Sequence, residues 1–221
     1  AIDRHALVAG IEFGLATVSS SFFPDDHWAH NPFLKPVKYD LELSKKLLAE
    51  AGYADGLTIK GHMYMTPSLV NLTDALRGML KKAGIDWKVD NISPAASSDR
   101  VKNLEYDLAQ NIYFYMFEPD LCVTNFYHPD GGWNFGRTNN KRVIELIEEG
   151  RKEVDWKKRQ SIYWDIEKEL NNNYEDVYLY WPTLVSARPK NVRGFVFKGG
   201  YQEFGEVWGY SHPLWFKEGR P

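Results

Sequence analysis

The sequence predicts an α/β protein in which a mixed, mostly parallel sheet is flanked by helices. Between residues 40 and 117, segments with apolar residues at helical spacing alternate with short segments of alternating apolar and polar residues. This order is typical of parallel strands that are joined by helices. Because such crossovers are right-handed, the carboxyl ends of the strands are expected at one edge of the sheet.

Caps and glycines mark the ends of the elements in the first half. Asp40 is a predicted N-cap, because its short carboxylate can accept a backbone N–H of the first helical turn. Gly52 and Gly84 suit the left-handed position that ends a helix. The three prolines within residues 19–36 predict a long irregular loop. Apolar periodicity predicts helices over residues 1–10, 41–51, 69–83 and 95–104, and strands over residues 57–65 and 85–89.

Residues 106–117 form the most regular alternating run, and the predicted sheet is arranged around it. Aromatic and β-branched residues suit a strand, and Pro119 ends it because proline cannot donate to a sheet ladder. In α/β proteins, ligands usually bind outside the carboxyl ends of the strands. The side chains predicted at this strand end are Tyr113, Tyr115, Phe117, Glu118 and Asp120.

The second half is predicted to be mainly helical. Asp155 is a predicted N-cap, and in the helix that follows it Lys157, Lys158 and Glu167 are expected in solvent. Residues beyond 199 are rich in aromatic residues and glycine without periodicity, which predicts an irregular tail. The predicted helices are residues 121–126, 139–150 and 156–170, and the predicted strands are residues 176–185 and 192–197.

Composition excludes several classes of protein. The formal net charge is −3, from 27 basic and 30 acidic residues spread along the chain, so no nucleic-acid partner is expected. No apolar run approaches the roughly 20 residues that a membrane-spanning helix needs. The single cysteine, Cys122, excludes an internal disulfide framework and is interpreted as a small buried residue.

Motifs for catalysis, metals and cofactors are largely missing. The sequence has no glycine-rich phosphate loop, no nucleophile elbow and no zinc-protease motif, and its six histidines are scattered. We therefore predict no cofactor and no metal site, and expect His62 to be a strand residue whose ring is hydrogen-bonded. Glu118 and Asp120 are spaced so that they could serve as paired carboxylates, which leaves a carbohydrate-active enzyme as an alternative.

Aromatic and amide side chains around the predicted strand end favour ligand binding over catalysis. Aromatic faces with a few polar anchors suit a small polar ligand, such as a peptide or a sugar ring. Each of these aromatic and amide residues could instead be buried in the hydrophobic core. Tyr115, Phe117 and Trp133 are predicted to stack on the ligand, and Asn134 with Glu118 or Asp120 to hydrogen-bond it. Tyr113 is predicted to line the same cleft, and Trp28, Tyr180 and Trp181 are further candidates.

Several motifs, in this order and spacing, resemble the family 5 extracellular solute-binding proteins, which serve bacterial ABC importers of the dipeptide, oligopeptide and nickel type. The resemblance covers nearly the whole chain. The motifs are Ala1-Ile2-Asp3-Arg4 with Leu7-Val8, residues 40–53, Tyr106-Asp107-Leu108, Glu118-Pro119-Asp120, Asp155 with Arg159 and Tyr163, and Asn191-Val192-Arg193-Gly194-Phe195.

The resemblance implies a two-lobed periplasmic or extracellular protein that closes on a solute and delivers it to ABC permease subunits at the membrane. Residues 1–190 would form the second, C-terminal ligand-binding lobe, with a periplasmic-binding-protein-like fold. Residues 191–221 would be a tail that returns to the first lobe of the same parent protein, of which this chain would be a piece. Such a lobe is not an enzyme, and apolar surface would be exposed where the first lobe is missing. A receptor lobe that senses a solute is a further alternative.

The sequence departs from the family at one position. Peptide-binding members have an aspartate three positions before the acidic residue of the acidic-Pro motif, and this aspartate receives the amino terminus of the peptide. Tyr115 stands at that position here, which removes a charge-assisted anchor. The departure favours a neutral ligand such as an oligosaccharide, or a ligand anchored elsewhere, and no residue supports nickel binding.

Overall fold

The computed structural model describes residues 1–64, 66–109, 118–183, 185, 187, 189–194, 197–198, 201–202 and 215–217 of the 221-residue chain. The chain forms two compact units. Unit 1 comprises Ala1–Ser20 and Lys35–Phe114, and unit 2 comprises Ser21–Leu34 and Tyr115–Pro221. The division into residues 1–190 and 191–221 stays a prediction about lobes.

Unit 1 contains the predicted parallel β-α-β arrangement. Two strands pair in parallel over their whole length, with Leu57 opposite Ile85 and Tyr64 opposite Ile92. The long helix between them makes the crossover. The elements in chain order are α1 (Arg4–Gly10), β1 (Ala16–Val18), α2 (Leu41–Glu50), β2 (Leu57–Tyr64), α3 (Pro67–Lys82), β3 (Ile85–Ile92) and α4 (Pro94–Asn103).

The predicted caps of unit 1 are confirmed. The carboxylate of Asp40 accepts the N–H of Leu43 at 2.8 Å. Gly52 and Gly84 follow the ends of α2 and α3 with φ angles of 90° and 96°, a backbone conformation that favours glycine. Local signals therefore mark the start of α2 and the ends of α2 and α3, whereas α3 begins at Pro67, two residues before its predicted start.

The two helices that flank this arrangement bury different amounts of apolar surface. Along α3, Leu72, Leu76 and Leu80 are buried. By contrast α2 buries no residue, and its apolar side chains Leu43 and Leu47 are 49% and 54% exposed.

Residues 106–108 lie against β2 where a strand was predicted. The N–H groups of Asp107 and Leu108 donate to the carbonyl oxygen of Lys60 at 2.9 and 3.1 Å. The Leu108 carbonyl crosses Gly61 so closely that a Cβ at this position would overlap it, which explains the glycine. Residues 105–109 form no regular strand, and residues 110–117 lie outside the described part of the chain.

Unit 2 is built mainly from three helices. They are α5 (Pro119–Tyr127), α6 (Lys141–Lys152) and α7 (Trp156–Asn172), which begin at the N-caps Glu118, Asn140 and the predicted Asp155. Short strands follow: β4 (Tyr180–Pro182), β5 (Val192–Arg193), β6 (Phe197–Lys198), β7 (Tyr201–Gln202) and β8 (Trp215–Phe216). β5 pairs with β8 and β6 with β7, both antiparallel, so the predicted irregular tail contains short strand pairs.

His62 occupies β2, as predicted, but its ring is not fully hydrogen-bonded. The residue is 1% exposed and its ring lies edge-on to that of Tyr106 at 5.2 Å. Within the described part of the chain, Nδ1 is buried without a hydrogen-bond partner. Burial first, and then the nearby Arg100 cation, hold the pKa of His62 below its usual value.

This histidine makes the stability of the fold depend on pH. Because the pKa of His62 is lower in the folded than in the unfolded state, the unfolded chain takes up the proton first as the pH falls. Full stability is expected above the unfolded pKa of 6.5, with a loss as the pH falls toward the folded pKa. Urea unfolding should show a steeper loss for the wild type than for His62→Phe, by up to about 1.4 kcal/mol per pH unit. Parallel pH profiles would contradict the assignment.

Candidate functional site

The predicted site residue Glu118 is the N-cap of α5. Its carboxylate accepts the N–H of Asp120 at 3.2 Å, which satisfies one of the free donors of the first turn. The guanidinium of Arg159 holds both carboxylate oxygens, with Nη1 at 3.3 Å from Oε2 and Nη2 bonded to Oε1. This two-bond geometry makes the pair a directional clamp at the start of α5.

Arg159 is fixed from several sides. Its Nε donates to the Gly150 carbonyl at 3.1 Å and its Nη2 to the Tyr163 hydroxyl at 3.2 Å. The guanidinium carbon lies 5.6 Å from the centre of the Trp28 ring and 5.3 Å from that of Tyr163. The hydrogen bond to Glu118 raises the pKa of Arg159, and burial raises the pKa of Tyr163 to about 12. At neutral pH the site therefore contains an arginine cation and a neutral tyrosine.

Asp120 lies in the first turn of α5 and is also paired with an arginine. Its Oδ1 accepts the hydroxyl of Thr124 at 2.9 Å and the Nε of Arg151 at 3.4 Å. The Arg151 guanidinium also donates to the Thr124 hydroxyl at 2.8 Å and to Glu148 at 3.2 Å. An acidic residue in the first turn complements the helix dipole.

Trp133 and Asn134 occupy the loop after α5. Trp133 is 39% exposed, and its ring centre lies 5.3 Å from that of Phe126 on α5. Asn134 is 6% exposed; its amide nitrogen donates to the carbonyls of His128 and Thr138 at 3.1 and 2.9 Å. Its amide oxygen accepts the Thr138 N–H at 2.8 Å. Asn134 therefore braces the loop that presents Trp133.

The structure thus places four of the predicted site residues on α5 or on the loop that follows it. Glu118 and Asp120 lie at the start of α5, and Trp133 packs against its later half. The three predicted aromatic residues Tyr113, Tyr115 and Phe117 lie outside the described residues. Trp28 lies over Arg159, whereas Tyr180 and Trp181 lie in β4 and are half-buried. The roles of all these predicted site residues in binding a ligand remain predictions.

Glu167 contradicts the sequence analysis, which expected it in solvent. It is 0% exposed and accepts three hydrogen bonds from residues 21–34, here called the strap. Its Oε1 accepts the Ser21 hydroxyl at 2.5 Å and the Phe23 N–H at 2.8 Å, and its Oε2 accepts the Asn31 N–H at 2.5 Å. A buried carboxylate is tolerated only where its hydrogen bonds are satisfied.

The strap in turn brings Trp28 to the site. Gln160 on α7 donates to the Trp28 carbonyl at 2.6 Å, and the Trp28 ring lies 4.0 Å from that of Trp156. Arg159 lies against the same Trp28 ring. Sequence analysis missed this aromatic–arginine cluster, although Trp156, Arg159 and Tyr163 are three and four positions apart and so share a helix face.

The described residues offer neither a metal cluster nor a membrane-spanning helix. They contain no group of three or more His, Cys, Asp or Glu side chains that could hold a metal ion. None of the helices within them is long and apolar enough to cross a membrane.

The sequence of this chain matches a known protein family. Residues 1–134, more than half of the chain, match the family described as "Bacterial extracellular solute-binding proteins, family 5 Middle". The chain is 26% identical over 206 residues to the nickel-binding protein NikA of Staphylococcus aureus, covering 88% of this chain and 40% of NikA. It is 23% identical over 217 residues to di/tripeptide-binding protein 1 of Pseudomonas aeruginosa, covering 94% of this chain and 40% of that protein.

A solved structure shares the fold. The periplasmic binding protein DppA from Helicobacter pylori, in complex with the peptide STSA, has a TM-score of 0.81 at 21% identity. The match covers 98% of this chain and 42% of DppA. This likeness shows that the predicted fold class, a periplasmic-binding-protein-like α/β lobe, is confirmed. The chain spans about two fifths of the length of the curated relatives it matches.

The buried carboxylate gives a prediction for stability. Glu167→Gln replaces one acceptor by an NH2 group that faces an N–H donor of the strap, so unfolding should need about 2–4 kcal/mol less free energy. Glu169→Gln on the same helix is the matched control, because its carboxylate contacts only Asn173 at 3.3 Å among the described hydrogen bonds. Urea unfolding followed by tryptophan fluorescence measures both. Equal stabilities of the two variants would show that the strap contacts are not needed.

Proposed function

Because the chain belongs to the family 5 bacterial extracellular solute-binding proteins, we propose that it forms a ligand-binding lobe of an ABC importer. The lobe captures a small solute in a cleft shared with another lobe, and the closed protein delivers the solute to the permease subunits. The family match over residues 1–134 is the observation that carries the proposal. The protein works outside the cytoplasmic membrane, in the periplasm or at the cell surface.

The partner lobe is part of the same proposal. We assign residues 1–190 to the second lobe and residues 191–221 to a segment that returns to the first lobe of the parent protein. The relatives are more than twice as long as this chain, which leaves room for a first lobe. Exposed apolar side chains on α2, such as Leu43 and Leu47, are compatible with further protein at this face.

The proposed ligand site combines aromatic and polar groups. Stacking is assigned to Tyr113, Tyr115, Phe117 and Trp133, whose rings offer large faces to a ligand. Polar contacts are assigned to Glu118 and Asp120. The partly exposed ring of Trp133 supports its role. Asn134 already uses its amide within the loop, so its proposed contribution is to hold Trp133 in place.

Of the two ligand classes that the sequence predicted, we propose peptides. A relative is named a di/tripeptide-binding protein, whereas none of the comparisons supports the oligosaccharide class. The name of another relative concerns nickel, but the described residues of this chain group no three side chains suited to a metal ion.

The proposal assigns no catalytic role. The relatives are binding proteins, and the carboxylates that an enzyme would use, Glu118 and Asp120, are each paired with an arginine. These pairings with arginine favour a structural and binding role for the two carboxylates over glycoside hydrolysis. A sensing receptor would share the binding site, and genes for a permease and an ATPase beside its own gene would favour the importer.

A ligand screen tests the proposal. Di- to tetrapeptides should raise the melting temperature of the protein, since a ligand at about 100 times its Kd adds about 2.7 kcal/mol of stability. Trp133→Ala should weaken peptide binding roughly threefold to tenfold through loss of stacking. Phe33→Ala is the control, because this ring is 77% exposed and lies on the strap. Hydrolysis of a glycoside by the wild type, or stabilisation by nickel alone, would overturn the proposal.

A further inference from the structure

The strap contains a buried histidine whose two ring nitrogens both face acidic side chains. His30 is 8% exposed. Its Nδ1 lies 3.4 Å from the Glu167 carboxylate on α7, and its Nε2 lies 3.6 Å from the Asp25 carboxylate on the strap itself. We propose that His30 is a proton-sensitive latch, which holds the strap on α7 more tightly when its ring is protonated.

Neither tautomer of the neutral ring matches this arrangement. A neutral imidazole has one N–H donor and one acceptor nitrogen, whereas the imidazolium has two donors. With the proton on Nδ1, the lone pair of Nε2 faces Asp25. With the proton on Nε2, the lone pair of Nδ1 faces Glu167. The protonated ring, by contrast, offers a donor to each carboxylate.

The hydroxyl of Ser21 adds a further acceptor beside Nδ1. Its Oγ lies 3.3 Å from Nδ1 of His30. The hydroxyl proton is directed elsewhere, because Ser21 donates to Oε1 of Glu167 at 2.5 Å. Nδ1 therefore faces the Ser21 oxygen as well as the carboxylate of Glu167, and a proton on this nitrogen suits both.

The burial of Glu167 makes the charge of the ring important for the strap. Glu167 is 0% exposed, so water screens its negative charge only weakly. The Asp25 side chain is 64% exposed, and its pairing contributes much less. Because Glu167 lies on α7 and His30 on the strap, the attraction draws these two segments together. It adds to the hydrogen bonds that Glu167 accepts from the strap backbone.

The pH range of the latch follows from the partners that the charged ring gains on folding. Such a group stabilises the fold fully below its unfolded pKa, about 6.5 for histidine, and less as the pH rises above it. His27, also on the strap, acts in the opposite sense, since its Nδ1 accepts the Ala29 N–H at 3.0 Å and would lose this bond on protonation. The latch therefore loosens the strap, which carries Trp28, at alkaline pH.

NMR titration of the His30 ring tests its coupling to α7. In Glu167→Gln the ring should lose its proton at a pH about one unit lower than in the wild type, because its buried counter-charge is gone. Glu169→Gln on the same helix is the matched control and should leave the midpoint unchanged. The coupling is reciprocal, so a carboxylate that holds the proton is also held by it. Equal midpoints in the wild type and Glu167→Gln would overturn the proposal.

Urea unfolding at two pH values tests whether the proton stabilises the fold. His30→Gln removes the titrating ring, so the ratio of its unfolding constant to that of the wild type should be roughly tenfold larger at about pH 5.5 than at about pH 8. Contributions of other groups, such as His62, are shared by both proteins and cancel. An equal or smaller ratio at the lower pH would overturn the proposal.

His128→Gln is the matched control for this unfolding experiment. The His128 ring also lies between two carboxylates, at 3.6 Å from Asp130 and 3.6 Å from Glu148. Its Nδ1, however, accepts the Asp130 N–H at 3.2 Å, so this ring is not arranged for a proton on both nitrogens. The ratio for His128→Gln should not rise at the lower pH. A rise as large as that for His30→Gln would show that the effect is not specific to the latch, which overturns the proposal.

Discussion

The structure of unit 2 depends on one buried carboxylate. Glu167 is fully buried on α7 and accepts hydrogen bonds from a side chain and two backbone N–H groups of the strap. Transfer of a carboxylate from water into a protein costs several kcal/mol, which only a complete set of donors can offset. Because these donors belong to a loop far away in sequence, the strap must fold onto α7 before the charge can be buried.

A chain of contacts connects this constraint to the proposed ligand site. The strap carries Trp28, whose ring lies against Arg159, and Arg159 holds Glu118 at the start of α5. Glu118 directly follows the predicted strand end in sequence. Displacement of the strap would therefore alter the surroundings of the arginine that pairs with Glu118.

The sequence predicted those features that depend on nearby residues. Asp40 and Gly52 were identified correctly because a cap is decided within one helical turn. The burial of Glu167 was missed because its charge favours solvent, although its spacing from Tyr163 and Leu170 places it on the buried face of α7. Its hydrogen-bond partners are 136–146 residues away in sequence. The pairing of Glu118 with Arg159 spans 41 residues and left no local signal except the spacing of Arg159 from Trp156 and Tyr163.

Hydrogen exchange at the backbone N–H groups of Phe23 and Asn31, which donate to Glu167, tests most directly whether the buried carboxylate holds the strap on α7. If the buried carboxylate holds the strap on α7, both amides should exchange only through large-scale unfolding, at rates close to those of the core of α7. Exchange at the rate of an exposed loop would contradict the account.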